Sequence, residues 1–100
     1  MGTYCEINID CPPGYPRPVN VLECVINNTE NKIDDRDILN TLERWKPLIS
    51  KGGGKFGNFI WRMPYTLDDD KFDTMKDILW TEIVKYYNSG TIRYSAIRKI

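Results

Sequence analysis

Residues 3–11 alternate without a break, with Cys5, Ile7, Ile9 and Cys11 on one side and Tyr4, Glu6, Asn8 and Asp10 on the other. A period of two is the signature of a half-buried β-strand, because successive side chains leave the backbone in opposite directions. One such strand cannot stand alone: it needs neighbours to pair with and an apolar layer to cover its buried side. The rest of the chain therefore has to supply both.

Two further segments carry the same period. Residues 55–63 set Gly57, Phe59, Trp61 and Met63 against Phe56, Asn58, Ile60 and Arg62. Large side chains on both faces suit a central strand, or one whose outer face meets a partner. Residues 91–100 set Ile92, Tyr94, Ala96 and Ile100 against Thr91, Arg93, Ser95, Ile97 and Lys99, which predicts a terminal strand.

Helical signals lie between these strands. Asp34 is the expected N-cap of a helix in which Ile33 packs on Ile38 as a hydrophobic staple, and Ile38, Leu39, Leu42 and Trp45 form the buried side. Pro47 disfavours helical geometry at Lys46, so that helix should end near there. Gly52, Gly53 and Gly54 then read as a flexible break. Asp68 caps a second helix whose stripe runs Phe72, Met75, Leu79, Ile83 and Tyr86, with Leu67 on Phe72 as a staple and Gly90 as the C-cap. Residues 19–28 carry both signals: Val19, Val21, Val25 and Ile26 favour a strand by propensity, but steps of 100° gather Val21, Leu22, Val25 and Ile26 on one side. Pattern is the better guide and favours a helix entered from the proline-rich segment. That segment, Pro12, Pro13, Gly14, Pro16 and Pro18 around Tyr15, reads as a rigid projecting loop, one that tolerates shortening if it serves recognition only.

The expected fold is a single α+β domain spanning residues 1–100, with a small antiparallel sheet of three or four strands and two or three helices packed on one face. The other face of the sheet would then gather Tyr4, Glu6, Asn8, Phe56, Asn58, Ile60, Arg62, Arg93, Ser95 and Ile97.

Composition narrows the function. Fourteen basic residues balance fourteen acidic ones, which removes the footprint of a general nucleic-acid binder. By halves, residues 1–50 hold five basic and eight acidic side chains and residues 51–100 hold nine and six, an offset of −3 against +3. Apolar runs are too short to cross a bilayer. The N-terminus has neither the basic start nor the apolar stretch of a signal peptide, so a cytoplasmic location is expected. Cys5, Cys11 and Cys24 are three in number and read as reduced thiols, most simply small buried apolar residues. Twelve isoleucines, eight asparagines and a single alanine fit an AT-rich genome, of the kind that many small phage proteins come from.

The chain has no histidine. Ser-His-Asp and Cys-His catalysis, histidine general bases and imidazole-based zinc sites are thereby excluded, and no cofactor is implied. Three glycines before Lys55 have the wrong context for a phosphate loop, since they follow a helix and Lys55 opens a strand. Asp68, Asp69, Asp70, Asp73 and Asp77 lack the turn glycine and terminal glutamate of a calcium loop, and read as capping and solvated charge.

Three functions remain. The leading one is a non-enzymatic module that docks on another macromolecule, as small inhibitors and accessory proteins do, with Tyr15, Trp80, Tyr87 and Arg93 as anchors. The alternative is a binder of a small nucleotide or other anionic ligand through Lys55, Trp61, Arg62 and Arg93, with a homodimer as one way to build the site. The third is an enzyme working with carboxylates and tyrosine alone, at Asp68 to Asp70.

Overall fold

The computed structural model describes residues 3–12, 14–51, 53–55, 58–87 and 92–99, with residues 53–55 described by their main chain. Its first strand, β1 (Tyr4–Asp10), buries alternate residues as its sequence period requires. The strand Asn58–Pro64, here β3, and the strand Arg93–Lys99, β4, flank it on either side, both antiparallel. Ile7 stands opposite Trp61 on one side and Ala96 on the other. A short edge strand, β2 (Gly53–Lys55), pairs with β3 and completes the order β2-β3-β1-β4.

Strand β2 corrects the expectation of one strand over residues 55–63 preceded by a flexible break. Gly53 and Gly54 pair with Ile60 and Phe59, and Lys55 pairs with Asn58, so the segment is a hairpin. Glycine is a poor strand former by propensity, but a three-residue edge needs only main-chain groups, and these are what β3 satisfies. Gly52, Phe56 and Gly57 lie outside the described residues.

Helix α1 (Pro18–Thr29) settles the ambiguous segment in favour of its helical pattern, with Pro18 at the start and Val21, Leu22, Val25 and Ile26 buried. Helix α2 (Arg36–Ile49) is capped by Asp35 rather than Asp34: the Asp35 Oδ1 accepts from the amides of Asp37 at 2.9 Å and Ile38 at 3.3 Å. A cap must sit two or three residues before the amides it receives, and a helix starting at Arg36 leaves Asp34 one position too early. Pro47 does not stop this helix, which runs on to Ile49. Pro47 is exposed in the last turn, and burial of Ile49 just beyond it offsets the one internal hydrogen bond that proline removes.

Helix α3 (Asp69–Ile83) is capped as expected, with the Asp68 side chain accepting from the Lys71 amide at 2.8 Å. Its stripe is shorter than the pattern implies. Phe72, Met75, Leu79 and Ile83 are buried, but the chain then tightens into turns in which Lys85, Tyr86 and Tyr87 each donate to the carbonyl three residues back. That change of pitch rotates Tyr86 off the stripe and leaves it exposed. Gly90, the expected cap, lies outside the described residues.

The three helices cover one face of the sheet. Helix α2 packs on β3, and α1 packs on both α2 and α3. Helix α3 reaches β4, where Trp80 stacks on Tyr94 with ring centres 5.5 Å apart. One apolar cluster joins Cys5, Ile7 and Ile9 of β1 to Phe59, Trp61 and Met63 of β3 and to the inner sides of all three helices. Among the described residues, no helix is long and apolar enough to cross a membrane.

Candidate binding surface

With the helices gathered on one side, the other side of β3, β1 and β4 has no layer upon it among the described residues. The registers arrange it in four rows: Pro64, Tyr4 and Lys99; Arg62, Glu6 and Ile97; Ile60, Asn8 and Ser95; Asn58, Asp10 and Arg93. Central β1 contributes only half-buried polar groups and Tyr4, whereas the flanking strands carry exposed Ile60 and Ile97, at 39% and 52% of their full accessibility. Arg62 Nε lies 3.7 Å from Glu6 Oε2, an exposed pair that contributes little stability but holds the guanidinium over the face. Asn58 Nδ2 donates to Asn8 Oδ1 at 3.3 Å and also to Asp10 Oδ1. A shallow depression of about 240 Å³ lies beside them, lined by Asn8, Asp10, Arg93, Tyr94 and Ser95.

Of the seven side chains singled out in the sequence, Arg62 and Arg93 reach this face. Trp61 does not: it is 2% exposed, and its Nε1–H donates to the Ile49 carbonyl at 2.9 Å. Its neighbours in β3 alternate outward, so the same period that exposes Ile60 and Arg62 turns Trp61 into the core. No exposed indole is left there for a base to stack on. Lys55 pairs through its main chain with Asn58, and its side chain lies outside the description, as does Phe56. Trp80 is half-buried against Tyr94 on the helix side of β4.

Tyr15 and Tyr87 form a separate cluster beyond the end of β1. Their rings are 6.1 Å apart, and the Tyr87 hydroxyl donates to the Pro16 carbonyl at 2.8 Å. The Cys11 thiol also points at that carbonyl, 3.9 Å away. Burial raises the Tyr87 hydroxyl well above its ordinary value, so it keeps the proton it donates. Tyr15 is exposed, and Gly14, at φ 94°, turns the chain toward it in a conformation that glycine adopts freely. The loop is thus tied to Tyr87 through one hydrogen bond and one ring contact.

Other polar features had no signal in sequence order. Glu82, on α3 and nearly buried, receives Lys32 Nζ at 2.8 Å and Lys85 Nζ at 3.0 Å. The hydrogen bond from Lys32 holds its carboxyl below the ordinary range, with Lys85 adding to the effect. Lys85 could have been paired with Glu82 from their spacing of three; Lys32, fifty residues away, could not. Beside them is a groove of about 310 Å³ lined by Lys32, Ile33, Asp77, Ile78, Thr81 and Glu82. Arg98, at a helix-facing position of β4, lies over the Phe72 ring and is paired with Asp69.

All three cysteines are free; Cys5 and Cys11 are buried as small apolar residues, but Cys24 is exposed on α1. Burial pushes the Cys5 thiol up to about 12, far from a reactive thiolate. Among the described residues, no three Cys, Asp or Glu side chains are grouped to hold a metal ion. Compared with protein-family models, with curated proteins and with solved structures, the chain finds no match in any of the three.

Proposed function

We propose that the protein is a non-enzymatic binding module that docks on another macromolecule, as an inhibitor or accessory protein, through the uncovered face of its sheet. The observation that supports this reading is the pairing of exposed Ile60 and Ile97 on strands either side of β1. A single exposed isoleucine is ordinary. Two on one face, set among Arg62, Glu6, Asp10 and Arg93, give apolar contact area with charges of both signs to select and orient a partner. The nucleotide or anionic-ligand reading has less behind it, because Trp61, the side chain expected to stack on a base, is buried.

Site-specific photocrosslinking tests the proposal. Benzoylphenylalanine replaces Ile60, Ile97 or, as the control, Asp73 on the solvent side of α3, and each variant is irradiated in cells of its own host. The same protein adduct is expected from positions 60 and 97 and none from position 73. No adduct from the sheet, or equal adducts from all three positions, would overturn the assignment.

A further inference from the structure

Strand β4 is the outermost strand on its side of the sheet. All seven of its residues pair with β1, and among the described residues nothing pairs with its other edge. An open edge presents main-chain N–H and C=O groups at strand spacing, a ready template for one more strand. The opposite edge of the sheet, β2, is only three residues long, whereas β4 offers seven.

The sequence of that edge is Arg93, Tyr94, Ser95, Ala96, Ile97, Arg98 and Lys99, three cations with no anion. Arg98 turns to the helix side and is paired with Asp69. Arg93 and Lys99 belong to the uncovered face with Ser95 and Ile97 between them; Asp10 stands opposite Arg93 on the β1 side, but among the described residues neither cation is within ion-pair distance of a carboxylate, and the side away from β1 carries no anion. Charge decides between the occupants this edge could take. A second copy of β4 laid antiparallel about Ala96 would set Arg93 of each chain against Lys99 of the other, and like charges directly opposite destabilise a ladder. An acidic strand meets the reverse situation.

We propose that β4 receives an extended acidic segment of a partner protein as a fifth strand, with carboxylates opposite Arg93 and Lys99 and an apolar residue opposite Ile97. At roughly 3.3 Å per residue the two carboxylates stand about 20 Å apart along the partner strand. The inference rests on the docking reading and names the chemistry of the partner. Main-chain hydrogen bonds supply the attachment, and the alternate side chains supply the selection.

The test uses a capped heptapeptide, Glu-Thr-Val-Thr-Thr-Thr-Glu, added to the isotope-labelled full chain, with amide hydrogen exchange read residue by residue. Saturating peptide is expected to slow exchange on the order of tenfold or more at alternate residues of β4, those whose N–H points away from β1. Arg93→Glu combined with Lys99→Glu should abolish that protection and transfer it to the same peptide ending in lysines. Both substitutions are at the open edge, and an unchanged circular dichroism spectrum checks that the fold is kept. Protection absent from β4, or equal binding of the acidic and lysine-ended peptides, would overturn the strand proposal. Crosslinks from position 60 without protection of β4 would leave docking on the face standing and remove only the added strand; protection of β4 without crosslinks would do the opposite.

Discussion

Trp45 and Trp61 make reciprocal hydrogen bonds between the same two elements. The Trp45 indole, on α2, donates to the Pro64 carbonyl at the end of β3 at 2.8 Å, and the Trp61 indole, on β3, donates to the Ile49 carbonyl at the end of α2 at 2.9 Å. Both rings are buried, so each satisfies its one donor on a main-chain acceptor that would otherwise be short of partners in the core. The pair fixes how α2 lies along β3. It thereby fixes which side of β3 is covered and which side carries Ile60 and Arg62.

Trp61→Phe should therefore be costly for stability. The substitution keeps an aromatic ring but removes the N–H, leaves the Ile49 carbonyl short of a donor and opens space beside Phe59. The expected loss is about 2–4 kcal/mol, from an unsatisfied buried group and a small cavity together. A urea titration measures it as a lower midpoint at an unchanged slope. A midpoint within error of the parent would mean that the indole bond is not formed.

Tyr87→Phe tests the tether of the proline-rich loop in the same way, with a smaller expected effect. Its hydroxyl gives one hydrogen bond to the Pro16 carbonyl, and Pro16 is exposed, so water can replace the donor in the variant. A loss of about 0.5–1.5 kcal/mol is expected, read as a fall of several degrees in melting temperature, at about 4–8 °C per kcal/mol for a domain of this size. Deletion of residues 14–16 should cost more, since it also removes the ring contact between Tyr15 and Tyr87. Unaltered melting of the deletion variant would show that the loop tolerates shortening and that its contacts with Tyr87 contribute nothing to stability.

Glu82 gives the protein a dependence on acid. Its carboxyl lies below the ordinary value of 4.5 in the folded chain because of Lys32 and Lys85. A depressed folded value means that the contribution to stability is full above about pH 4.5 and is lost as the pH falls through the folded value. Lys32 runs the other way: the same bond raises it above 10.5, so its contribution is lost as the pH rises through that raised value. Glu82→Gln should lower stability at neutral pH and flatten the acid limb, which denaturation curves collected from neutral pH downward will show. An acid limb of unchanged steepness would place the responsible carboxylates elsewhere.

Much of the fold could be read from the chain because its signals are local. The alternation of Cys5, Ile7 and Ile9, the helical grouping of Val21, Leu22, Val25 and Ile26, and the Asp68 cap all arise from backbone geometry within a few residues, and the structure keeps them. The misses lie where a distant contact outweighed a local preference. Ile49 in the core carried α2 past Pro47, pairing with β3 turned glycines into an edge strand, and a tightened turn after Ile83 moved Tyr86 outward. The candidate surface was legible in the same uneven way: Arg62 and Arg93 follow from strand parity, but Trp61 belongs to the buried set by that parity too.

The sequence by itself determined which residues share a face, since a period of two or of 3.6 is a property of the backbone and needs no partner. It also determined what chemistry is absent, because a chain without histidine has none to bring together. Only the tertiary structure decided that β1 sits inside the sheet while β4 stands at its edge, that Gly53 and Gly54 pair with β3 as a strand, and that Lys32 meets Glu82. Those choices depend on which apolar faces bury each other across the whole chain, and burial is a sum over contacts far apart in sequence. The exposed side of the sheet follows from that sum, as what remains once the core has been filled.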